Sequence, residues 1–129
     1  MAVEIERRFL VKNDAWRGLA EPKLLYQGYL SVEKERTMRV RIVGDEAWVT
    51  IKGYISDVSR HEFEYAIPVA DATTILEQMC PFKLKKHRTC IAYQGHVFEV
   101  DEYFDDNAPL VVAEIELPSE DTLFERPEW

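Results

Sequence analysis

Like-charged residues recur in pairs at i, i+2 spacing along this sequence. Four pairs are acidic: Glu4 and Glu6, Glu62 and Glu64, Glu99 and Asp101, and Glu114 and Glu116. The basic members are Arg39 and Arg41, Lys86 and Arg88, the single Lys52, and Arg8, which extends the first acidic row. Clustered carboxylates bind hard divalent cations, and clustered arginine and lysine side chains bind phosphate. The combination would suit metal-assisted chemistry on a phosphorylated substrate.

The arrangement of these pairs favours a shared interior over an ordinary water-facing surface. An antiparallel sheet often exposes one charged face, and for a single pair that explanation suffices. Here each strand carries a two-residue row of one sign, and arginine, which binds phosphate oxygens in a bidentate manner, outnumbers lysine. If the rows face inward, eight carboxylates and six cations cannot pack as a dry core. The interior must then hold water, metal ions or a polyanion.

Alternation of apolar and polar residues predicts the elements that position these pairs. Eight strands are expected: Val3–Val11, Leu24–Val32, Thr37–Val43, Ala47–Ile51, Arg60–Ile67, Phe82–Tyr93, Val97–Phe104 and Leu110–Leu117. Gly44-Asp45 and Gln94-Gly95 are tight-turn signals that join neighbouring strands into hairpins. The prediction is an α+β, mostly β fold: an eight-stranded antiparallel, closed or nearly closed barrel with a charged lumen and a few flanking helices.

Helices are few in this sequence. Ala70–Cys80 has apolar residues at helical spacing, with Asp71 as the expected N-cap and Pro81 as the stop. A short helical turn after Asn13 or Asp14 is expected to bury Trp16 and Leu19. The Glu- and Pro-rich tail, residues 119–129, is expected to be extended or irregular.

Length, charge and cysteine content limit the function classes. The 129 residues, 47% hydrophobic, suit one domain over residues 1–129. The net charge of −8 disfavours nucleic acid and acidic membranes as partners. Cys80 and Cys90 match no zinc or redox spacing and are expected to be free and mostly buried. With no signal-peptide pattern or bilayer-length apolar run, we expect a cytoplasmic protein.

The charged rows resemble the CYTH domain, or triphosphate tunnel metalloenzyme, family. Residues 4–8, Glu-Ile-Glu-Arg-Arg, are similar to the family's Glu-x-Glu-x-Lys signature. The resemblance continues in order through residues 27–30, 39–41, 50–53, 62–64, 99–102 and 112–120. It implies an eight-stranded antiparallel tunnel that binds a triphosphate-containing small molecule end-on, with Mg²⁺ or Mn²⁺ as cofactor.

The resemblance also implies roles for individual residues. The expected metal-binding carboxylates are Glu4, Glu6, Glu99, Asp101, Glu114 and Glu116. The expected phosphate-binding cations are Arg8, Arg39, Arg41, Lys52, Lys86 and Arg88. The expected catalytic set is Glu4, Glu6, Arg8, Tyr29, Glu62 and Glu64. Members of the acidic rows could alternatively hold water, bind a second metal ion or orient the cations. His61, His87 and His96 fall outside the inward rows and are expected to have no catalytic role.

Metal-dependent hydrolysis of inorganic tripolyphosphate is the leading functional prediction from this resemblance. Thiamine triphosphatase, class IV adenylyl cyclase and a non-catalytic module that binds polyphosphate or a nucleotide are the alternatives. Two departures bear on activity: Arg8 stands where the signature has Lys, and the sequence ends at Trp129, before the C-terminal helix typical of the family. The outer apolar rows, among them Val3, Ile51 and Phe63, need cover, so a homodimer is also expected.

Overall fold

The computed structural model describes residues 3–129, apart from the side chain of Asp106. Met1 and Ala2, which belong to the N-terminal stretch considered above, lie outside that description. The eight strands are β1 (Val3–Leu10), β2 (Lys23–Glu33), β3 (Arg36–Val43), β4 (Glu46–Tyr54), β5 (Ser59–Ile67), β6 (Phe82–Tyr93), β7 (His96–Tyr103) and β8 (Val111–Glu116). They close into an antiparallel barrel in the order β1-β5-β4-β3-β2-β6-β7-β8, which confirms the predicted architecture.

Tight turns connect the two hairpins that the sequence predicts. Around Gly44-Asp45, β3 pairs with β4 from Arg36↔Gly53 to Val43↔Glu46. Around Gln94-Gly95, β6 pairs with β7 from Lys86↔Tyr103 to Tyr93↔His96. Gln94 and Gly95 both have positive φ, at 49° and 81°, as a two-residue turn matching strand twist requires.

One α-helix and one short 3₁₀ turn accompany the barrel in residues 3–129. Helix α1 (Val69–Gln78) begins one residue before the predicted start and contacts β3 and β4. Asp71 is not its N-cap, because Pro68 occupies that position and accepts the Ala72 N–H through its carbonyl at 3.1 Å. Asp71 instead lies in the first turn, where its charge suits the helix dipole. The 3₁₀ turn spans Asp105–Asn107.

The apolar core lies outside the barrel wall, because the interior is filled with charged side chains. One cluster joins the outer faces of β3 and β4 to α1 through Val40, Ala47 and Leu76. A second group packs Phe98 and Ile115 against Phe124 and Trp129 of the C-terminal tail. The helix and the tail therefore bury part of the outer apolar rows, and the inner rows are left to polar side chains.

Three local expectations need correction. Residues 13–20 form turns rather than a helical turn, since the Asn13 Oδ1 accepts the Ala15 N–H and the Asp14 carbonyl accepts the Arg17 N–H. Trp16 is buried as expected, but Leu19 is 55% exposed. Cys80 is buried near Gly28, whereas Cys90 is exposed, although it follows Arg88 on the inner face of β6 and pairs with Glu99 of β7. The irregular tail is confirmed.

Among the described residues, every helix is too short and too polar to traverse a lipid bilayer.

Candidate active site

The barrel encloses a charged tunnel of about 380 Å³. Seven carboxylates line it: Glu4, Glu6, Glu62, Glu64, Glu99, Glu114 and Glu116. Seven cations also line it: Arg8, Arg39, Arg41, Lys52, Arg60, Lys86 and Arg88. The remaining lining residues are Tyr29, Thr37, Thr50 and Tyr103. Strand alternation explains this placement, since each i, i+2 row shares the inner face of its strand.

Three carboxylates from different strands converge on one side of the tunnel. Glu4 of β1, Glu62 of β5 and Glu116 of β8 each offer an oxygen, and these oxygens all lie within 4.8 Å of one another. The Lys52 ammonium donates to both Glu4 oxygens at 2.9 Å and lies 3.4 Å from Glu62. Arg60 donates to Glu4 at 3.0 Å and to Glu6 at 3.1 Å. We refer to Glu4, Glu62 and Glu116 as the carboxylate triad.

The carboxylates on this side of the tunnel differ in the direction in which their pKa values are shifted. Burial opposes ionisation of Glu4, but Lys52 and Arg60 prevail and hold the pKa of Glu4 below its usual value. Burial and the Glu4 charge raise the pKa of Glu62. Burial, together with Glu4, also raises the pKa of Glu116. For Glu6, burial and the nearby Glu114 and Glu4 raise the pKa to about 7. The acidic side thus carries excess negative charge that a bound cation would relieve.

The carboxylate triad fits a hard divalent cation. Its donors are all oxygens from flexible glutamate side chains, which is the ligand type that Mg²⁺ and Mn²⁺ accept. Lys52 and Arg60 now neutralise Glu4, so an incoming cation must displace part of that pairing. The raised pKa values of Glu62 and Glu116 arise first from burial and then from repulsion by Glu4, and a bound cation would oppose both effects.

The opposite part of the lining gathers cations close to one another. Burial, with repulsion from Arg39 and Arg88, lowers the pKa of Arg41 to about 10. Burial, with a contribution from Arg88, lowers the pKa of Lys86 to about 8 although Asp101 opposes the shift. The Arg39 Nε atom is buried without a hydrogen-bond partner among the described residues. A bound anion would stabilise the charged forms of these clustered cations.

Asp101 holds two of the cations in place from behind the lining. It is fully buried and accepts hydrogen bonds from Lys86 Nζ at 2.7 Å and from Arg88 Nε at 2.8 Å. Arg88 Nη2 also donates to Asp101, at 2.9 Å. Burial works against ionisation, but these contacts keep the pKa of Asp101 low and raise the pKa of Arg88.

Similarity to known proteins identifies the family of this chain. The family model of the CYTH domain matches residues 2–129. The chain belongs to the CYTH domain family. A curated relative from Acetivibrio thermocellus, named inorganic triphosphatase, is 42% identical over 130 residues, which cover 100% of this chain and 83% of the relative.

Solved structures share the CYTH fold. The crystal structure of the inorganic triphosphatase NE1496 matches with a TM-score of 0.67 at 30% identity, covering 100% of this chain and 84% of that one. A protein from Pyrococcus furiosus matches with a TM-score of 0.70 at 18% identity, covering 92% of this chain and 80% of that one. The second likeness shows the fold alone.

The CYTH tunnel brings together nearly all of the residues that the sequence singles out. Every predicted site residue lines it except Asp101, which lies behind Lys86 and Arg88 rather than on the surface of the tunnel. Arg8 bridges Glu6 at 3.3 Å and Glu114 at 3.2 Å, while Arg88 donates to Glu99 at 3.1 Å. The Tyr29 hydroxyl accepts a hydrogen bond from Gln27 Nε2 at 2.9 Å. The three histidines are not among the lining residues.

Sequence reasoning missed four lining residues of the CYTH tunnel. Arg60 precedes the Glu62 and Glu64 row with the same alternation, and Tyr103 follows the β7 row in the same way. Thr37 shares the inner face of Arg39, and Thr50 shares the inner face of Lys52. Extending each charged row by one more i, i+2 step would have found all four.

Proposed function

We propose that this CYTH domain is a divalent-metal-dependent inorganic triphosphatase. The proposal is carried by one observation: the carboxylate triad and the cation-rich lining face the same closed tunnel. Such a tunnel supplies both the metal ligands and the charge neutralisation that phosphoryl transfer needs. The 42%-identical relative named inorganic triphosphatase supports tripolyphosphate as the substrate.

The carboxylate triad would hold the metal ion, with Mg²⁺ or Mn²⁺ as the fitting cations. When bound, such an ion polarises phosphoryl oxygens and makes a bound water more acidic. Glu6 and Glu114, which also line the tunnel, adjust the net charge around the triad. Lys52 keeps Glu4 ionised and therefore ready to ligate.

The cations bind and orient the triphosphate. Arg39 and Arg41 present guanidinium groups suited to phosphate oxygens, whereas Arg88, held by Asp101 and Glu99, contributes its charge. The Nε of Arg39, which has no hydrogen-bond partner among the described residues, is a donor available to the substrate. Asp101 acts as a positioning residue, since it fixes Lys86 and Arg88 from behind. Tyr29 accepts its hydrogen bond from Gln27, which leaves its own hydroxyl proton to donate to the substrate.

The reaction is an in-line attack of water on the terminal phosphorus. A bond forms between the water oxygen and phosphorus while the bond to the bridging oxygen breaks, and diphosphate leaves with the electron pair. Glu64 is positioned to accept the proton from water, because it lines the tunnel and the Thr50 hydroxyl orients its carboxylate through a hydrogen bond of 2.9 Å. Arg8, which bridges Glu6 and Glu114, neutralises the developing charge at its side of the tunnel.

A cytoplasmic location accompanies this proposal. Both cysteines are free, and Cys90 is exposed, a state that a reducing compartment preserves. Fractionation of cells producing the protein would test the location directly.

Phosphate release from tripolyphosphate, thiamine triphosphate and ATP, each with Mg²⁺, with Mn²⁺ and with a chelator, tests the function. We expect metal-dependent release that is fastest with tripolyphosphate. Glu116→Ala and Glu4→Ala should lower kcat by about 10²-fold or more, because each removes a member of the triad. Arg39→Ala should raise KM, lower kcat, or both.

Glu77→Ala removes an exposed carboxylate from α1, outside the tunnel, and should retain normal turnover. Binding without release from any substrate would leave the non-catalytic module, and cyclic AMP formed from ATP would identify a cyclase. Preferential release from thiamine triphosphate would assign that substrate instead.

A further inference from the structure

Strand β2 places two uncharged polar side chains in the cationic part of the tunnel wall. In the order of the barrel it lies four strands from β1 in either direction, opposite the strands that carry the carboxylate triad. Its neighbours β3 and β6 contribute clustered cations, among them Arg41 and Lys86. Between them, Gln27 and Tyr29 share the inner face of β2 at i, i+2 spacing. Tyr29 lines the tunnel, whereas Gln27, only 1% exposed, lies behind the lining.

The side-chain amide of Gln27 joins Arg41 to Tyr29. Its Oε1 accepts a hydrogen bond from Arg41 Nε at 2.9 Å, and its Nε2 donates to the Tyr29 hydroxyl oxygen, also at 2.9 Å. Gln27 and Arg41 are cross-strand partners on β2 and β3, so the register of the sheet brings the two side chains together. Both ends of this buried amide are therefore paired.

Arg41 determines the orientation of the Gln27 amide. A guanidinium N–H can only donate, so the amide atom that faces Arg41 Nε must be the oxygen. The amide NH₂ group then faces Tyr29, and because this group has no acceptor, the tyrosine oxygen must accept. Gln27 consequently makes no use of the single hydroxyl proton of Tyr29, which is free to point into the tunnel that Tyr29 lines.

The linked side chains present hydrogen-bond donors to the tunnel. The terminal nitrogens of Arg41 and the hydroxyl proton of Tyr29 can all donate. The neutral amide fixes Arg41 without cancelling its charge, in contrast to Arg88, whose charge is paired with Asp101 and Glu99. The ligand group that fits such a set of donors carries acceptors alone, as ionised phosphoryl oxygens do.

We propose that Gln27 is a positioning residue that makes Arg41 and Tyr29 one donor unit for a phosphoryl group of the substrate. Gln27 does not touch the substrate; it aims the guanidinium and obliges the tyrosine to donate. The inference rests on the proposed function, since it takes a triphosphate as the ligand of the tunnel. It assigns to that function a residue that lies outside the lining.

Replacing the amide by a carboxylate reverses one hydrogen bond and keeps the shape of the side chain. In Gln27→Glu both oxygens accept, so Tyr29 turns its proton to the new carboxylate and presents a lone pair to the phosphate. The new charge also offsets that of Arg41. Tripolyphosphate binding, measured by calorimetry with a chelator present, should weaken about tenfold or more.

Gln27→Met removes both hydrogen bonds of the amide without adding charge. It should weaken tripolyphosphate binding less than Gln27→Glu does, by roughly threefold. A residue that merely supported the barrel wall would give the reverse order, because Gln27→Met leaves both partners unpaired. The Mn²⁺ affinity of Gln27→Met without substrate should stay within about twofold of the wild-type value, because the carboxylate triad lies on the opposite strands.

Tyr29→Phe separates the effect of the tyrosine proton from that of the charge. Alone, this variant should weaken tripolyphosphate binding about threefold, since it removes one donor. In the Tyr29→Phe background, Gln27→Glu still offsets the charge of Arg41, but no hydroxyl remains to turn. The weakening caused by Gln27→Glu should therefore be about threefold smaller in that background than in the wild type.

Gln78→Glu is the matched control, because it makes the same change at an exposed position of α1 and should leave tripolyphosphate affinity unchanged. Wild-type affinity in Gln27→Glu or in Tyr29→Phe would overturn the inference. Equal weakening by Gln27→Glu in both backgrounds, or loss of Mn²⁺ binding in Gln27→Met, would also overturn it. None of these results would contradict the proposed function if the wild type releases phosphate. Wild-type protein that binds tripolyphosphate without releasing phosphate would contradict the proposed function, while the expected order of affinities would still support the role of Gln27.

Discussion

Lys86 illustrates how the environment of one residue sets the pH range of the site. Its ammonium donates to buried Asp101, yet its own burial and the neighbouring Arg88 lower its pKa to about 8. A lysine with that pKa loses its charge as the solution becomes mildly alkaline, whereas an exposed lysine does not.

We predict that kcat/KM for tripolyphosphate falls above a pH of about 8, because kcat/KM reports the ionisation of the free enzyme and only charged Lys86 attracts phosphate. Lys86→Arg keeps the positive charge and should move this alkaline limb to higher pH. The pH profiles of both proteins, measured with Mg²⁺, provide the check. An identical limb in Lys86→Arg would assign it to another group.

The raised pKa of Glu6 makes the stability of the folded protein depend on pH. Its pKa of about 7 exceeds the usual value, so between these two values the folded chain binds more protons than the unfolded chain. Metal-free protein should therefore become more stable as pH falls through about 7 toward about 4.5, by about 1–3 kcal/mol. Denaturant unfolding in the presence of a chelator measures this slope.

Glu62 and Glu116 also make the folded protein more stable as pH falls, because their pKa values are raised like that of Glu6. The pKa values of Glu4 and Asp101 are lowered, so these two groups make the folded protein less stable as pH falls. That effect sets in only below the ordinary pKa values of these carboxyl groups and therefore at lower pH. Glu6→Gln should reduce the slope, and Glu77→Gln on the exposed face of α1 should preserve it. A metal-free protein whose stability is flat between these pH values would contradict the arrangement.

Gly28 lets α1 and the turn that follows it approach the barrel closely. A Cβ at this position would lie 2.7 Å from Leu76 Cδ2 and 2.9 Å from Cys80 Sγ. Gly28→Ala should therefore lower the free energy of unfolding by about 1–3 kcal/mol, as overpacking does. Urea unfolding of the variant measures the loss.

Gly53→Ala is the matched control for Gly28→Ala. A Cβ at Gly53 would meet its nearest atom, the Glu35 carbonyl oxygen, at an ordinary contact distance of 3.7 Å. Its effect on stability should be smaller than that of Gly28→Ala. If Cys80→Ala added to Gly28→Ala restores part of the loss, the close approach is the cause, and equal losses at both glycines would refute it.

Part of the apolar outer face of the barrel is exposed to solvent. Ile51 of β4 and Phe63 of β5 are cross-strand neighbours, 38% and 41% exposed, and Tyr65 beside them is 57% exposed. Helix α1 and the tail bury other parts of the wall. A contiguous apolar patch of this kind is typical of an interface.

We predict that two copies associate through this patch. Sedimentation at increasing micromolar concentrations should reveal a dimer, and Phe63→Ser with Tyr65→Ser should shift it to monomer. Leu123→Ser provides the control, because Leu123 is an isolated residue with 92% exposure. A wild-type protein that stays monomeric throughout the concentration series would contradict the prediction.

Alternation along the chain was enough to predict the strands and to show which side chains share a face. The period of two is a property of the extended backbone, so the like-signed rows indicated the polar interior without knowledge of the fold. The same alternation would have identified Arg60 and Tyr103 as lining residues. The apolar rows likewise indicated that the outside of the barrel needs cover, and the structure shows that α1 and the tail supply part of it.

Which rows face one another across the lumen follows from closure of the barrel. Glu4, Glu62 and Glu116 are far apart along the chain, and the closure of the barrel brings their oxygens within 4.8 Å. The same packing withdraws Asp101 behind Lys86 and Arg88. Strand order and stagger are non-local, whereas alternation is local, so a sequence pattern specifies a face but not the neighbour across the lumen.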